Sequence, residues 1–266
     1  MSTKSRPAVL GHRGALTHAP ENTLAAFELC VRAGCDIELD VYPTRDGQLV
    51  VIHDATVDRT TNGKGAVAGL TLAEVRRLDA GSWFHPDFAG ERVPTLDDAL
   101  ALVVAKERRP TVVAINLKPV TDAVVDGVIR AVRKHGLFER SFVFDLSLEN
   151  ARRFKRREPR IRCAASAHTP QAIRDALELD VIDVIWTGPK PKAVIDEIHA
   201  AGKQVYFTLV NDAAQWLRLK ADGADGICTN HPLEMKHAAW PPPPGRMWDH
   251  YLKPEQRRRH RYLPPR

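Results

Sequence analysis

The chain has 266 residues, 44% of them hydrophobic, and a formal net charge of +6. This length suits one large domain, such as an α/β barrel of about 250 residues, and the hydrophobic fraction is ordinary for a globular protein with a substantial core. Because residues 246–266 hold seven basic and two acidic side chains, most of the positive charge belongs to the tail, and nucleic-acid binding is not expected of the body.

The N-terminus lacks the apolar core of a signal peptide, and no apolar run approaches the ~20 residues that span a membrane. The four cysteines form no CxxC pair. These features predict a cytoplasmic protein without a transmembrane segment, in which the thiols are reduced and mostly buried.

Short runs rich in Val and Ile alternate with amphipathic stretches along the chain. Eight of these runs predict buried parallel strands, at 8–12, 37–42, 112–118, 141–146, 162–166, 181–187, 205–210 and 226–230. Helices that end at a glycine are predicted between them, at 22–33, 121–135, 191–201 and 212–222. Eight βα units indicate a TIM (β/α)8 barrel. A doubly wound open sheet is disfavoured because no glycine-rich dinucleotide turn follows the first strand.

About 70 residues separate the second and third predicted strands, which is more than one βα connection needs. They contain an extra strand at 49–53, a glycine-rich polar loop at 54–69 and helices near 71–79 and 95–107. An excursion of this size on the catalytic face is typically a lid or a substrate pocket. A surface insertion without a function is the alternative.

A separate unit at 240–266 follows the predicted barrel at 8–239. Four consecutive prolines at 241–244 prevent a helix and favour a polyproline linker before the basic tail. The tail is expected to be solvated and disordered. Weak contact with an anionic surface, or packing on the bottom of the barrel, is the alternative.

Glu38 and Asp40 are two positions apart on the second strand, so both carboxylates lie on one face. In a barrel that face points inward, where two crowded acids repel each other and lose hydration. A divalent cation relieves both costs, and two hard oxygen donors favour Mg²⁺ or Ca²⁺ over zinc. The alternative is that the two acids pair with Lys or Arg side chains across the barrel mouth.

Two histidines at strand ends can supply the two proton transfers that ester cleavage needs. His12 ends the first strand and His53 ends the extra strand; one imidazole takes a proton from the attacking oxygen and the other gives one to the departing alkoxide. Arg13 offers a planar fork that suits phosphate oxygens, and Lys118, which ends the third strand, can neutralise charge on a phosphoryl oxygen. Each of these residues alone is more often structural.

Several motifs follow one another in a fixed order: GHRG at 11–14, PENT at 20–23, ELDV at 38–41, T-x-D-G at 44–47, HD at 53–54 and DRTTNGKG at 58–65. Together they resemble the glycerophosphodiester phosphodiesterase family. The similarity is strong over residues 8–118 and continues more weakly to GADGICTNHP at 223–232.

The resemblance implies a TIM barrel with a subdomain, at about 43–94, inserted between strand 2 and helix 2. It implies a phosphoric diester hydrolase that uses a divalent cation, Mg²⁺ or Ca²⁺, to release an alcohol and sn-glycerol 3-phosphate from small-molecule glycerophosphodiesters. The glycerol 2-hydroxyl would be the internal nucleophile, giving a cyclic phosphate that water then opens.

Matched position by position, the resemblance assigns acid–base catalysis to His12 and His53, phosphate contacts to Arg13 and Lys118, and metal ligation to Glu38 and Asp40. Glu21 of the PENT motif would support the site, by holding its shape or by reaching Arg13 or the metal.

Three features depart from the family pattern. Asn116 stands where the family usually has a glutamate ligand, so an amide oxygen, the weaker ligand, replaces a negative charge. The run 34–38 into the acidic strand is one residue shorter than usual. Phe207 stands in place of the usual Trp before Thr208 on the seventh barrel strand, which would change an aromatic lining of the glycerol pocket.

Two other functions remain open at this stage. A phospholipase D-type enzyme acting on lysophospholipids would use a similar barrel and histidine pair, although the polar loop 54–69 favours water-soluble substrates. A non-catalytic phosphodiester-binding homologue is the other, with Asn116 marking a decayed metal site. The basic residues among 152–157 predict a solvated helix face. The sequence leaves the oligomeric state open.

Overall fold

The computed structural model describes residues 6–240. The proline-rich linker at 241–244 and the basic tail that follows it lie outside the described residues, so the expectations for them remain untested.

Nine strands form one sheet. They are β1 (Ala8–Gly11), β2 (Asp36–Pro43), β3 (Leu49–Val51), β4 (Val113–Leu117), β5 (Ser141–Phe144), β6 (Arg162–Ser166), β7 (Val184–Thr187), β8 (Gln204–Phe207) and β9 (Gly226–Thr229). All of them except β3 are parallel and run in the order β1-β9-β8-β7-β6-β5-β4-β2, and β1 pairs with β2 to close the ring. The predicted eight-stranded parallel barrel is confirmed.

Helices surround the barrel: α1 (Leu24–Arg32), α2 (Leu72–Val75), α3 (Leu96–Lys106), α4 (Asp122–Lys134), α5 (Leu148–Arg157), α6 (Pro170–Leu177), α7 (Lys192–Ala200), α8 (Ala213–Asp222) and α9 (Pro232–Ala239). Most begin at a side-chain cap; Thr23 caps α1 and Thr95 caps α3, for example. The predicted end of the helix at 212–222 is confirmed, because Gly223 follows it with a φ of +104°.

The strands bury both of their faces, which explains their continuous apolar runs. One set of alternate residues fills the barrel interior, including Leu10, Ala114, Phe142, Trp186 and Tyr206. The opposite set packs against the helices and forms the larger core. Side chains two positions further along the inward-facing set therefore reach the carboxyl-end mouth, where TIM barrels carry their active sites.

The predicted excursion forms a small subdomain on the barrel. Strand β3 pairs antiparallel with the end of β2, and Val50, Val57, Val67 and Val75 lie in a separate apolar cluster. The helix predicted near 71–79 is a single turn, α2, whereas the one at 95–107 is the barrel helix α3.

Three of the five basic residues of α5 form ion pairs with neighbouring acids. Arg153 and Arg157 contact Asp122 at the start of α4, and Lys155 contacts Asp183. This pairing agrees with the predicted surface stripe and leaves less uncompensated charge than the sequence suggests.

The four cysteines are buried and unpaired, as predicted. Within residues 6–240, none of the helices combines the length and the apolar character that crossing a bilayer requires.

Candidate active site

The turn after β1 brings two functional side chains to the barrel mouth. His12 continues the inward-facing alternation of Ala8 and Leu10, and its backbone N–H donates to the Thr229 carbonyl at 2.9 Å. A side chain at Gly11 would sit 2.6 Å from the Gly14 carbonyl oxygen, so this turn requires glycine there.

The environment of His12 suits a proton acceptor. Its Nδ1 lies 2.8 Å from Asn230 Oδ1; since that oxygen only accepts, Nδ1 carries the proton and Nε2 keeps a lone pair. Burial lowers the pKa of His12, although the bond to Asn230 acts in the opposite direction. The neutral imidazole is therefore the dominant form near neutral pH.

Glu38 and Asp40 are both buried on the inward face of β2, as predicted. Glu38 Oε2 accepts a hydrogen bond of 2.8 Å from the backbone N–H of Arg13. Burial, followed by the charge of Asp40, raises the pKa of Glu38 well above its usual range.

Asp40 has partners of its own. Asn22 Nδ2 donates to its Oδ2 at 2.9 Å, Arg13 Nε lies 3.5 Å from Oδ2, and Lys118 Nζ lies 3.4 Å from Oδ1. Asp40 therefore pairs with an Arg and a Lys side chain at the mouth, as the alternative prediction for the two acids expected.

Asn116 is the neighbour of Asp40 in the register between β2 and β4. Its side chain is 6% exposed, and its Oδ1 has no hydrogen-bond partner among the described residues. An orphaned buried oxygen beside two carboxylates is a donor set that a hard cation satisfies. Among residues 6–240 no cluster of three or more His, Cys, Asp or Glu side chains could hold a metal; in a site built on Glu38 and Asp40, the amide oxygen of Asn116 would be the third donor.

His53 follows β3 on the inserted subdomain. Its Nδ1 lies 2.7 Å from Asp54 Oδ1, which directs Nε2 away from that carboxylate. Asp54 also accepts two hydrogen bonds from Arg59, and these, ahead of His53, hold the pKa of Asp54 well below its usual range.

Glu21 joins the two histidine-bearing segments. It accepts a hydrogen bond of 2.9 Å from Arg13 Nη1 and two of 2.8 Å from Arg59. Burial alone would raise the pKa of Glu21, but the bonds and charges of Arg59 and Arg13 outweigh it and lower that pKa. The expectation that Glu21 reaches Arg13 agrees with these contacts.

Phe207 does not line the mouth, so the prediction for this residue is wrong. Its ring belongs to the outer core, between the sheet and the helices, because the preceding residue, Tyr206, takes the inward position on β8. Inward aromatics near the carboxyl ends of their strands include Phe144 and Trp186, which are stacked with their centroids 4.5 Å apart.

Sequence reasoning overlooked four polar residues of the site: Asn22, Asp54, Arg59 and Asn230. All four lie inside motifs already noted, namely PENT, HD, DRTTNGKG and the final strand motif. Their role shows only in contacts between segments far apart in the chain.

Residues 12–234 match the model of the glycerophosphoryl diester phosphodiesterase family. This chain belongs to that family. The expected enzyme class, a phosphoric diester hydrolase, is confirmed by this membership.

Named relatives and solved structures agree. The glycerophosphodiester phosphodiesterase of Caldanaerobacter subterraneus subsp. tengcongensis is 34% identical over 234 residues, which cover 84% of this chain and 94% of that protein. The crystal structure of a glycerophosphodiester phosphodiesterase from Agrobacterium tumefaciens is 32% identical, with a TM-score of 0.76, covering 88% of this chain and 99% of that one. A phosphodiesterase from Oleispira antarctica, solved in complex with the product sn-glycerol-3-phosphate, is 27% identical, with a TM-score of 0.78, covering 87% of this chain and 96% of that one.

Proposed function

We propose that this chain hydrolyses glycerophosphodiesters to an alcohol and sn-glycerol 3-phosphate, with His12 and His53 as its acid–base pair and with a divalent cation. The observation that carries the proposal is the continuous network at the barrel mouth. It runs from Arg13, the chain neighbour of His12, through Glu21 and Arg59 to Asp54 and His53, and Arg13 also contacts both acids of β2.

The two imidazoles divide the proton transfers. Nε2 of His12 takes the proton of the glycerol 2-hydroxyl as its oxygen attacks phosphorus, and protonated His53 gives a proton to the departing alkoxide. The P–O bond to the alcohol breaks as the bond to the 2-oxygen forms, which leaves a cyclic phosphate. Water then opens that ring, with the two histidines in reversed roles, to give glycerol 3-phosphate.

Arg13 and Lys118 counter the negative charge that collects on the phosphoryl oxygens. Both lie beside Asp40 at the mouth, with Arg13 Nε 3.5 Å and Lys118 Nζ 3.4 Å from its carboxylate. A guanidinium fork gives two directed contacts, and the lysine adds a point charge.

Glu38, Asp40 and Asn116 would hold the divalent cation. The set is entirely oxygen, which favours Mg²⁺ or Ca²⁺. A bound cation supplies Lewis-acid neutralisation of the phosphoryl oxygens. A glutamate in place of Asn116 would add a third formal charge, so we expect weaker metal affinity here than with three carboxylates.

Four buried, unpaired cysteines agree with the proposed cytoplasmic location.

The test is release of glycerol 3-phosphate from a panel of glycerophosphodiesters by purified full-length chain, with Mg²⁺, Ca²⁺ or Mn²⁺ and with chelator. We expect turnover with at least one cation, and a kcat at least about 100-fold lower for His12→Gln. Absence of product from every diester with every cation would refute the proposal and favour a phosphodiester-binding protein.

Lysophospholipids are a second candidate substrate class, because the exposed Trp83 could contact an acyl chain. This residue is 41% exposed on the inserted subdomain, and its ring packs edge-on against Phe84. A parallel assay with a lysophospholipid below its micellar concentration separates the two, since the leading proposal expects faster turnover of the water-soluble diester.

A further inference from the structure

Arg59 makes more hydrogen bonds within the site than any predicted catalytic residue. Its Nε and Nη2 donate to Asp54 at 2.7 and 3.1 Å, and its Nη1 and Nη2 donate to Glu21, both at 2.8 Å. One planar guanidinium thus grips two carboxylates at once, each through two bonds.

The two carboxylates belong to different parts of the molecule. Glu21 lies in the β1–α1 connection of the barrel and holds Arg13, the neighbour of His12. Asp54 lies on the inserted subdomain and holds Nδ1 of His53. Arg59 therefore bridges the barrel and the insertion at the point where the two histidines must act together.

The loop that carries Arg59 is well braced. Thr61 Oγ1 donates to the Val57 carbonyl at 2.7 Å, and the N–H of Gly65 donates to Asp58 Oδ1 at 2.8 Å. Val57 is fully buried in the core of the subdomain. Because these contacts hold the loop in place, the guanidinium can fix the positions of Asp54 and Glu21.

We infer that Arg59 is a positioning residue: by clamping Asp54 and Glu21 together it holds His53 in one orientation and tautomer opposite His12 and Arg13. This inference rests on the proposed function for its catalytic consequence. Four of the five N–H groups of Arg59 are engaged inside the clamp, so substrate binding is not its main role.

The decisive variants are Arg59→Gln and Arg59→Lys, with Lys64→Gln as the matched control. Glutamine removes the charge and the fork; lysine keeps the charge but reaches one carboxylate at a time. Lys64 lies on the same loop, its side chain is 80% exposed, and its only ion pair is with Asp58 among the described residues. Lys64→Gln therefore removes a cation from the loop without touching the clamp.

The first measurement is steady-state turnover of a glycerophosphodiester. For Arg59→Gln we expect kcat to fall about 10- to 100-fold, as when outer partners of a catalytic group are lost, with KM changed less than about threefold. Arg59→Lys should recover part of the rate, and Lys64→Gln should match the unsubstituted chain.

The second measurement does not depend on turnover. The ¹⁵N shifts of the His53 ring, assigned by comparison with His53→Gln and recorded for the neutral form of the ring, report which nitrogen carries the proton. In the unsubstituted chain we expect the Nδ1–H form to predominate by about tenfold or more, as a charge-assisted bond to Asp54 requires. In Arg59→Gln, Asp54 is free to turn into solvent and a mixture of tautomers is expected.

The outcomes separate this inference from the proposed function. A tautomer change in Arg59→Gln without turnover by the unsubstituted chain supports the clamp and refutes the function. If Arg59→Gln has a normal kcat and an unchanged His53 tautomer, the clamp is overturned. The same holds if the only effect of Arg59→Gln is a lower unfolding temperature. If Arg59→Gln does not fold, Arg59→Lys decides by the same two readouts.

Discussion

Asn116→Glu tests whether the amide at this position faces a metal site. The third carboxylate would lie on the strand next to Asp40 and near Glu38. Two unit charges about 5 Å apart interact by about 3 kcal/mol at an effective dielectric constant near 20, which is an upper bound here because the raised pKa of Glu38 favours its neutral form. Asp40 is already countered by Arg13 and Lys118, so the uncompensated repulsion is mainly with Glu38.

In the absence of divalent cation, that repulsion should lower the unfolding temperature by at most about 6–12 °C, since about 1 kcal/mol corresponds to roughly 2–4 °C for a domain of this size. Added Mg²⁺ or Ca²⁺ should restore it and bind at least about tenfold more tightly than to the unsubstituted chain, because about 1.4 kcal/mol suffices for tenfold.

The assay is a thermal melt of both proteins over a titration of each cation, with Asn116→Leu as the variant that has no donor. Asn116→Leu should show the weakest stabilisation by metal. Equal metal-dependent shifts in all three proteins would show that residue 116 is not a ligand and would remove the third donor from the proposed site.

Three further outcomes follow from the geometry. His12→Gln and His53→Gln should each lower kcat by about 10²- to 10⁴-fold without a change in circular dichroism, and retention of a tenth of the rate by either would contradict the acid–base assignment. Phe207→Ala should lower the free energy of unfolding by about 3–5 kcal/mol with KM unchanged, whereas Trp186→Ala should raise KM; a similar rise in both would contradict the outward placement of Phe207. Burial lowers the pKa of His18 more than nearby Glu234 raises it. Below about pH 6.5 the unfolded chain therefore binds more protons at this residue than the native state does, and the free energy of unfolding decreases as the pH falls. His18→Gln should remove this share of the acid loss, as urea denaturation between pH 8 and pH 5 would show; parallel stability curves would contradict it.

The sequence was a good guide to the fold because buried parallel strands are apolar on both faces. The prediction at 162–166 has the observed bounds of β6. Errors arose where apolar residues belong to a loop instead of a strand. The strand predicted at 181–187 is observed only from Val184, because Ile182 is buried in the loop before β7. Periodicity alone does not separate these cases.

The site was predictable in kind but not in its connections. The period of two placed Glu38 and Asp40 together on the inward face, as observed. The same rule applied to Phe207 would have turned it outward, because Tyr206 precedes it. Arg59 carried no such signal, since an arginine in a polar loop becomes a clamp only when Glu21, 38 positions earlier, folds beside it.

The uneven compensation of the two acids argues for where a cation would bind. Asp40 meets two cationic side chains and an amide N–H donor, whereas the hydrogen bond to Glu38 comes from a backbone N–H. The pKa of Glu38 is raised, and the Oδ1 of Asn116 has no hydrogen-bond partner among the described residues. If a cation binds as proposed, we expect Glu38 and Asn116 to gain most from it, and a phosphate bound by Arg13 and Lys118 would complete the charge balance.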